Sequence, residues 1–466
     1  MKQRIDARAV AALALMASIS PPGVGAQEPG PEADRPSSAA TFVPSHARDG
    51  SGTGWLPDET PVFGHHASAG GWDLMLHENL FLHYIDETGE RGGRHFGSIN
   101  WIMGMARREL GGGRLGLRGM VSLEPLTVGK CGYPNLLQTG ELCNGRPIVN
   151  GQHPHDLVME LAATWERGLS RSVGVQLYAA AAGEPALGPV AYPHRPSAAT
   201  NPVAPVGHHW MDASHISFGV ATLGLYGRRW KIEASAFNGR EPDEDRYGFD
   251  FGPLDSYSGR LTVLPGDRWA LQMSAGRMTD AHVHVGVPTP GRRLCPASVG
   301  CHPIGQIADA QLDVVRGTAS IIHQRPLGGS GHWNTTLAYG RNYEEGHRET
   351  QALLAETSVD PGGIFAVFGR GEVVEKSDHD LAIPLRGDID VYRETIFTIG
   401  KATAGILGRL PAIGGLTPAL GIGASVSILP DELEDMYGTT RPVGWFSFLR
   451  LSPATRRLAG DEHPHP

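Results

Sequence analysis

Six histidines fall between His153 and His215, with carboxylates, prolines and a tryptophan packed among them. The stretch opens QHPHDLVMEL, passes through GEPALGP and HRPSA, and closes PVGHHWMDASHIS. Imidazole is the commonest protein metal ligand and titrates near neutral pH. With Asp and Glu nearby it suits zinc, copper or nickel, or proton handling. The candidate metal ligands are His153, His155, Asp156, Glu160, His194, His208, His209, Asp212 and His215. Asp156 and Glu160 share a face in either a strand or a helix, and Pro154 places His153 and His155 in an entering loop. His208, Asp212 and His215 share a face if a helical turn forms. Met211 would add a soft donor for reduced copper. The plainer alternative is that these histidines hydrogen-bond loop backbone and only tie loops down.

Other chemistry is weaker. Asp280, His282 and His284 match the D-x-H-x-H strand of metal-dependent amidohydrolases. A complete (β/α)₈ barrel needs more chain than remains after residue 280. His215 and Ser217 could pair in a lipid or ester hydrolase, but no G-x-S-x-G element accompanies them. No nucleotide-binding glycine motif follows a strand. The mixed run NGREPDEDRYGFDFGP brings Arg240, Glu241 and Asp243. Such a run is either a solvated loop or an inward loop whose acidic excess favours cations in a pore.

The elements that must position these groups are strands. In GWDLMLHENLFLHYID, Trp72, Leu74, Leu76, Leu80, Leu82 and Tyr84 share one face, with Glu78 an exception. Asp73, His77, Asn79 and His83 share the other, with Met75, Phe81 and Ile85 as exceptions. RWKIEASAF, DRWALQMSAGRM and GHWNTTLAYG repeat this period of two. Short glycine-bearing joins at Gly227-Arg228-Arg229, Pro265-Gly266-Asp267 and Gly329-Ser330-Gly331 read as hairpins. Longer connections carry the histidines and the mixed-charge run. Short turns alternating with long loops are the rhythm of an outer-membrane barrel. The predicted fold is all-β, a transmembrane antiparallel β-barrel of about 14–16 strands over residues 71–453. Periodicity alone does not separate it from a soluble sandwich or barrel, whose apolar face would be the core. Trp and Tyr near the run ends favour aromatic girdles and the membrane form.

Residues 1–26 read as a secretory signal: Lys2, Arg4 and Arg8, a short apolar run, then Val24-Gly25-Ala26. Residues 27–70 are rich in Pro, Ser, Gly and Ala and are predicted flexible or plug-like. The tail 454–466 departs from the aromatic ending usual for such barrels. No segment offers the ~20 apolar residues of a membrane helix. The net charge of −9 carries no basic stripe for nucleic acid. Cys131 with Cys143, and Cys295 with Cys301, read as local disulfides in an exported chain.

The series GYPNLLQTGE, QHPHD, GEPALGP, HRPSA, NPVAPVGHHWMDASHISFG and NGREPDEDRY resembles a poorly characterised group of bacterial outer-membrane, porin-like β-barrel proteins. That group often occurs in settings connected with copper or other heavy metals. The resemblance spans roughly Gly132 to Tyr247. Beyond the histidines it singles out Glu184, Arg195, Trp210, Arg240, Glu241 and Asp243, and implies Glu184, Arg195 and the last three as pore-lining. The Cys131–Cys143 pair flanks the GYP element and looks peculiar to this chain.

The expectation is an outer-membrane barrel that passes or binds small cations, transition metals foremost, through a His/Asp/Glu-lined interior. Its partners are membrane lipid, small cations and a possible second copy of itself. It needs no resident cofactor, though copper or zinc could bind, and no turnover is expected. The alternatives are a barrel-embedded or periplasmic hydrolase, and a structural envelope protein without a metal role.

Overall fold

The computed structural model describes residues 42–144, 146–284, 310–344, 349–378, 380–383 and 395–454. The signal segment, Cys295, Cys301 and the tail after residue 454 lie outside these.

The strands are β1 (His65–Ala69), β2 (Trp72–Glu87), β3 (Gly93–Leu110), β4 (Gly113–Val121), β5 (Tyr133–Cys143), β6 (Arg146–Gln152), β7 (Val158–Gly168), β8 (Val173–Gly183), β9 (Ser217–Gly227) and β10 (Trp230–Phe237). They continue as β11 (Ser256–Gly266), β12 (Trp269–His284), β13 (Ala310–Gly328), β14 (Gly331–Glu344), β15 (Glu349–Asp360), β16 (Phe365–Ser377), β17 (Ile396–Arg409), β18 (Leu416–Ile428) and β19 (Val443–Pro453). Sixteen of them, β2–β4 and β7–β19, form one antiparallel ladder that closes where β19 pairs with β2, Leu449 opposite Leu82. β1 pairs with the first residues of β2. β5 and β6 form a separate hairpin.

The three predicted hairpins form, turning β9 into β10, β11 into β12 and β13 into β14, and a further one needs its glycines. Gly111 and Gly112, with φ of +63° and +70°, turn β3 into β4. Two consecutive left-handed residues match the right-handed twist of the flanking strands. Long connections gather at the opposite end, at residues 122–157, 184–216 and 238–255.

Side-chain alternation then decides what the wall separates. Ile232, Leu353 and Leu420 point out and are 56%, 55% and 57% exposed. Lys231, Arg316 and Thr336 point in and are 1%, 2% and 0% exposed. A soluble barrel would show the reverse. An apolar exterior around a polar interior is the arrangement of a barrel whose outer face meets lipid.

The lumen is filled. The hairpin β5–β6, carrying the disulfide Cys131–Cys143, folds into it. Lys401 Nζ donates to Glu87, to Asn135 Oδ1 and to the Leu136 carbonyl, and Lys376 Nζ donates to Thr139. Residues 184–216 follow the wall inside, and their backbone is satisfied by inward side chains. Ala186 N–H donates to Ser235 Oγ, Gly188 N–H to Ser274 Oγ, and Gly207 N–H to Glu372. An irregular segment can be buried only when its backbone groups find such partners.

Of the amino-terminal segment expected to be flexible or plug-like, the described part, from residue 42 onward, is packed inside the barrel. Trp55 sits among Val190, Tyr226 and Leu264. Lys231 Nζ donates to the Thr53 carbonyl, Arg260 to Thr53 Oγ1, and Arg107 pairs with Asp49. Its composition shows no period because inward bases of the wall, rather than a repeating apolar face, hold it in place.

Candidate functional site

The GHHWMDASHIS segment does form a helical turn. A short helix, His208–Met211, runs into a 3-10 turn, Ala213–His215. His208 Nδ1 lies 2.7 Å from Asp212 Oδ1, and His215 Nδ1 lies 2.8 Å from the Asp212 carbonyl. Gly340 lets this helix seat against β14, since a Cβ there would meet the Trp210 carbonyl at 2.1 Å. Trp210 Nε1 donates to Thr350, and Arg316 and Asn342 donate to the His209 carbonyl.

The QHPHD segment is a loop that enters β7, as Pro154 suggested; no helix forms there. His155 is held by Glu124, whose carboxylate accepts from its backbone N–H at 3.0 Å and lies 2.9 Å from Nδ1. Nε2 of the same ring stands 3.1 Å from the Tyr192 hydroxyl. His153 Nδ1 lies 3.2 Å from the Pro154 carbonyl.

The inward course of residues 184–216 brings the two segments together. Ring centroids are 5.1 Å apart for His208 and His215, 5.4 Å for His155 and His215, 5.3 Å for His208 and His209, and 6.0 Å for His153 and His209. These five imidazoles line one cleft. Asp156 and Arg316 also face it, and the partly exposed Arg240 and Glu241 stand at its rim.

Carbonyl and carboxylate oxygens accept hydrogen bonds and do not donate them. The Nδ1 contacts therefore place a proton on Nδ1 of His153, His208 and His215. Burial pushes His153 and His215 well below the usual histidine range, so both rings are neutral at pH 7. The buried Nε2 of His215 has no hydrogen-bond partner among the described residues. Burial raises Asp156 to about 6 against the opposing pull of Arg246, 3.6 Å away. Burial also pushes Asp212 up, but Arg195 and His208 outweigh it and hold the carboxyl below its ordinary range. Among the described residues, no three His, Cys, Asp or Glu side chains are grouped to hold a metal ion. The imidazoles form the wall of a cleft rather than a closed coordination shell.

The remaining predicted residues lie elsewhere. Glu160 is on β7, paired with Arg118 and accepting from Tyr178 Oη at 2.8 Å. His194 meets Met120 and Trp101. Arg195 is a buried strut between Asp212 and Glu356. Glu184 is buried 3.6 Å from Arg260, and burial raises it to about 8. Asp243 is exposed and bonds within its own loop. Ser217 Oγ donates to the Ser214 carbonyl rather than to His215. Asp280 pairs with Arg240 in an antiparallel wall, so its motif is not set in a (β/α)₈ barrel. Glu124, Tyr192, Arg246 and Arg316 were missed. Only Arg246, inside the charged run, carried any sequence signal.

The fold and site define a sixteen-stranded, polar-cored β-barrel with a histidine-lined cleft built on its inward loops. No protein-family model matches the chain, and no curated protein matches it. Solved structures similar to it include a loop L8 deletion mutant of OmpT, an outer membrane protein of Vibrio cholerae, at 8% identity and a TM-score of 0.46, covering 82% of this chain and 99% of that one. An anion-selective porin from Comamonas acidovorans is 9% identical with a TM-score of 0.45 over 82% of this chain and 99% of its own. Salmonella typhi OmpF in complex with daunomycin is 8% identical with a TM-score of 0.46 over 83% and 99%. Likeness at this level adds nothing to what the strand ladder itself establishes.

Proposed function

We propose that this chain is an outer-membrane β-barrel that passes small divalent transition-metal cations, with Cu²⁺ and Zn²⁺ as the leading cargo, by way of the imidazole-lined cleft. The membrane location is supported by the apolar outer face and the polar lumen. The observation that carries the cargo assignment is the orientation of the rings. His153, His208 and His215 each commit Nδ1 to an oxygen. This is the outer-shell pattern that fixes an imidazole for metal contact through its other nitrogen. An open wall of donors suits passage better than storage, because a permeating ion must bind weakly enough to leave.

The test is current through planar bilayers containing the full-length protein. Micromolar Cu²⁺ or Zn²⁺ should alter the current, and His208→Ala/His215→Ala should abolish that response while leaving conduction in place. Absence of conduction together with indifference to both metals sinks the reading.

A second reading rests on the same contacts. The bonds from His155 to Glu124 and from His208 to Asp212 also tie loops to each other. A conducting barrel whose current ignores both metals would favour histidines as ties.

A further inference from the structure

On one side of the lumen the wall changes character. Most inward positions carry Ser, Thr, Lys, Glu or Arg. On β2–β4 the inward registers instead hold His77, Trp101, Met103, Met105 and Met120. His77 pairs across the strands with Met103, and Met103 pairs with Met120. Directly opposed residues have Cβ atoms about 4.5–5.5 Å apart, so the three form one continuous row. Trp101 and Met105 flank it on β3. The three thioethers are buried and belong to one packed cluster with Trp101.

His194 comes down onto this row from the 184–216 segment. Its Nε2 stands 3.3 Å from Met120 Sδ, and its ring lies 4.8 Å from Trp101 and 6.3 Å from His77. His95, His153, His155, His208 and His215 each direct a ring nitrogen at an oxygen. His194 directs its nitrogen at sulfur.

We propose that Met103, Met120 and His194, with His77 and Met105 beside them, form a binding site for a soft monovalent cation, Cu(I) or its redox-inert surrogate Ag(I). Thioether sulfur selects Cu(I) over Zn²⁺ and the hard cations, and imidazole completes a mixed donor set. The Trp101 indole, placed between the two imidazoles, adds attraction for a cation near its ring. Methionine is also an ordinary gap filler in cores, and that alternative is separable by experiment. The site stands apart from the histidine cleft and does not depend on cations passing through it.

The experiment is an anaerobic Cu(I) titration of the full-length protein in detergent, with bicinchoninate as competing chelator. Excess Zn²⁺ is present throughout to occupy nitrogen and oxygen sites. Wild type should hold Cu(I) against the chelator. Met103→Leu/Met120→Leu keeps side-chain volume close to that of the parent and should lose it. Because the double variant alters the wall, His194→Gln on the inner segment is measured alongside and should also release the ion. Both variants should keep the heat-modifiable gel shift of a folded barrel. Wild type that yields all its Cu(I) to the chelator overturns the proposal, and so does a folded leucine variant that retains the ion.

Discussion

At the scale of single residues, burial sets the chemistry of the cleft. Asp156 is raised from 3.8 to about 6. The folded protein therefore holds this proton at a pH where the unfolded chain has released it. Stability then falls as pH rises between about 4 and 6, because the native state binds more protons in that window. Asp156→Asn removes the titrating group. It should stabilise the fold above pH 6 by on the order of 3 kcal/mol, the free-energy equivalent of moving the carboxyl from 3.8 to about 6, and be neutral below pH 4. Urea unfolding in detergent across that range checks this; a slope unchanged by the substitution would refute it. The histidines, Asp156 and Asp212 were legible as chemistry from their types and clustering. Glu124 and Tyr192 were not, since one carboxylate and one phenol outside any motif carry no mark of the ring they will touch.

At the scale of elements, the 184–216 segment is the part that matters most. Arg195 donates to Asp212 and Glu356, and Glu356 also accepts from Arg370. Removing the guanidinium leaves two buried carboxylates short of a partner. Breaking a buried pair in this way costs about 3–5 kcal/mol. Arg195→Ala should therefore lower the urea midpoint and admit protease to residues 184–216, and a segment equally resistant in both proteins would show that Arg195 is no strut. The sequence reading placed Arg195 along a pore; the wall holds it as a tie. The helical spacing of His208, Asp212 and His215 was legible because it is local, though the sequence did not decide that a turn forms. The burial of the β5–β6 hairpin in the lumen was not legible, because no local pattern says which side of the wall a hairpin enters. One signal did exist. Phe81 and Ile85 broke the polar face of β2, and they pack against the inner segments through Tyr133 and Val203.

For the whole molecule, the decisive property is which face of the wall meets which solvent. Ile422 on β18 lies opposite Ile406 on the outer surface. Arginine at a lipid-facing position near the midplane costs about 2–4 kcal/mol. Ile422→Arg should reduce membrane-inserted protein by that measure, whereas an outer face bathed in water would tolerate it. Fractionation followed by unfolding in lipid vesicles distinguishes the two.

Period-two alternation is local, so strands, their two faces and three of their hairpins could be read from the chain alone. It is blind to sidedness, because a membrane barrel and a soluble sandwich both segregate apolar from polar residues. Only closure of β19 on β2 decided that the polar face encloses the lumen. The inward return of residues 184–216, whose short helix seats on β14, carried His208 and His215 to the side of His153 and His155. Imidazoles so far apart along the chain meet only through that tertiary path, and no spacing rule extends that far.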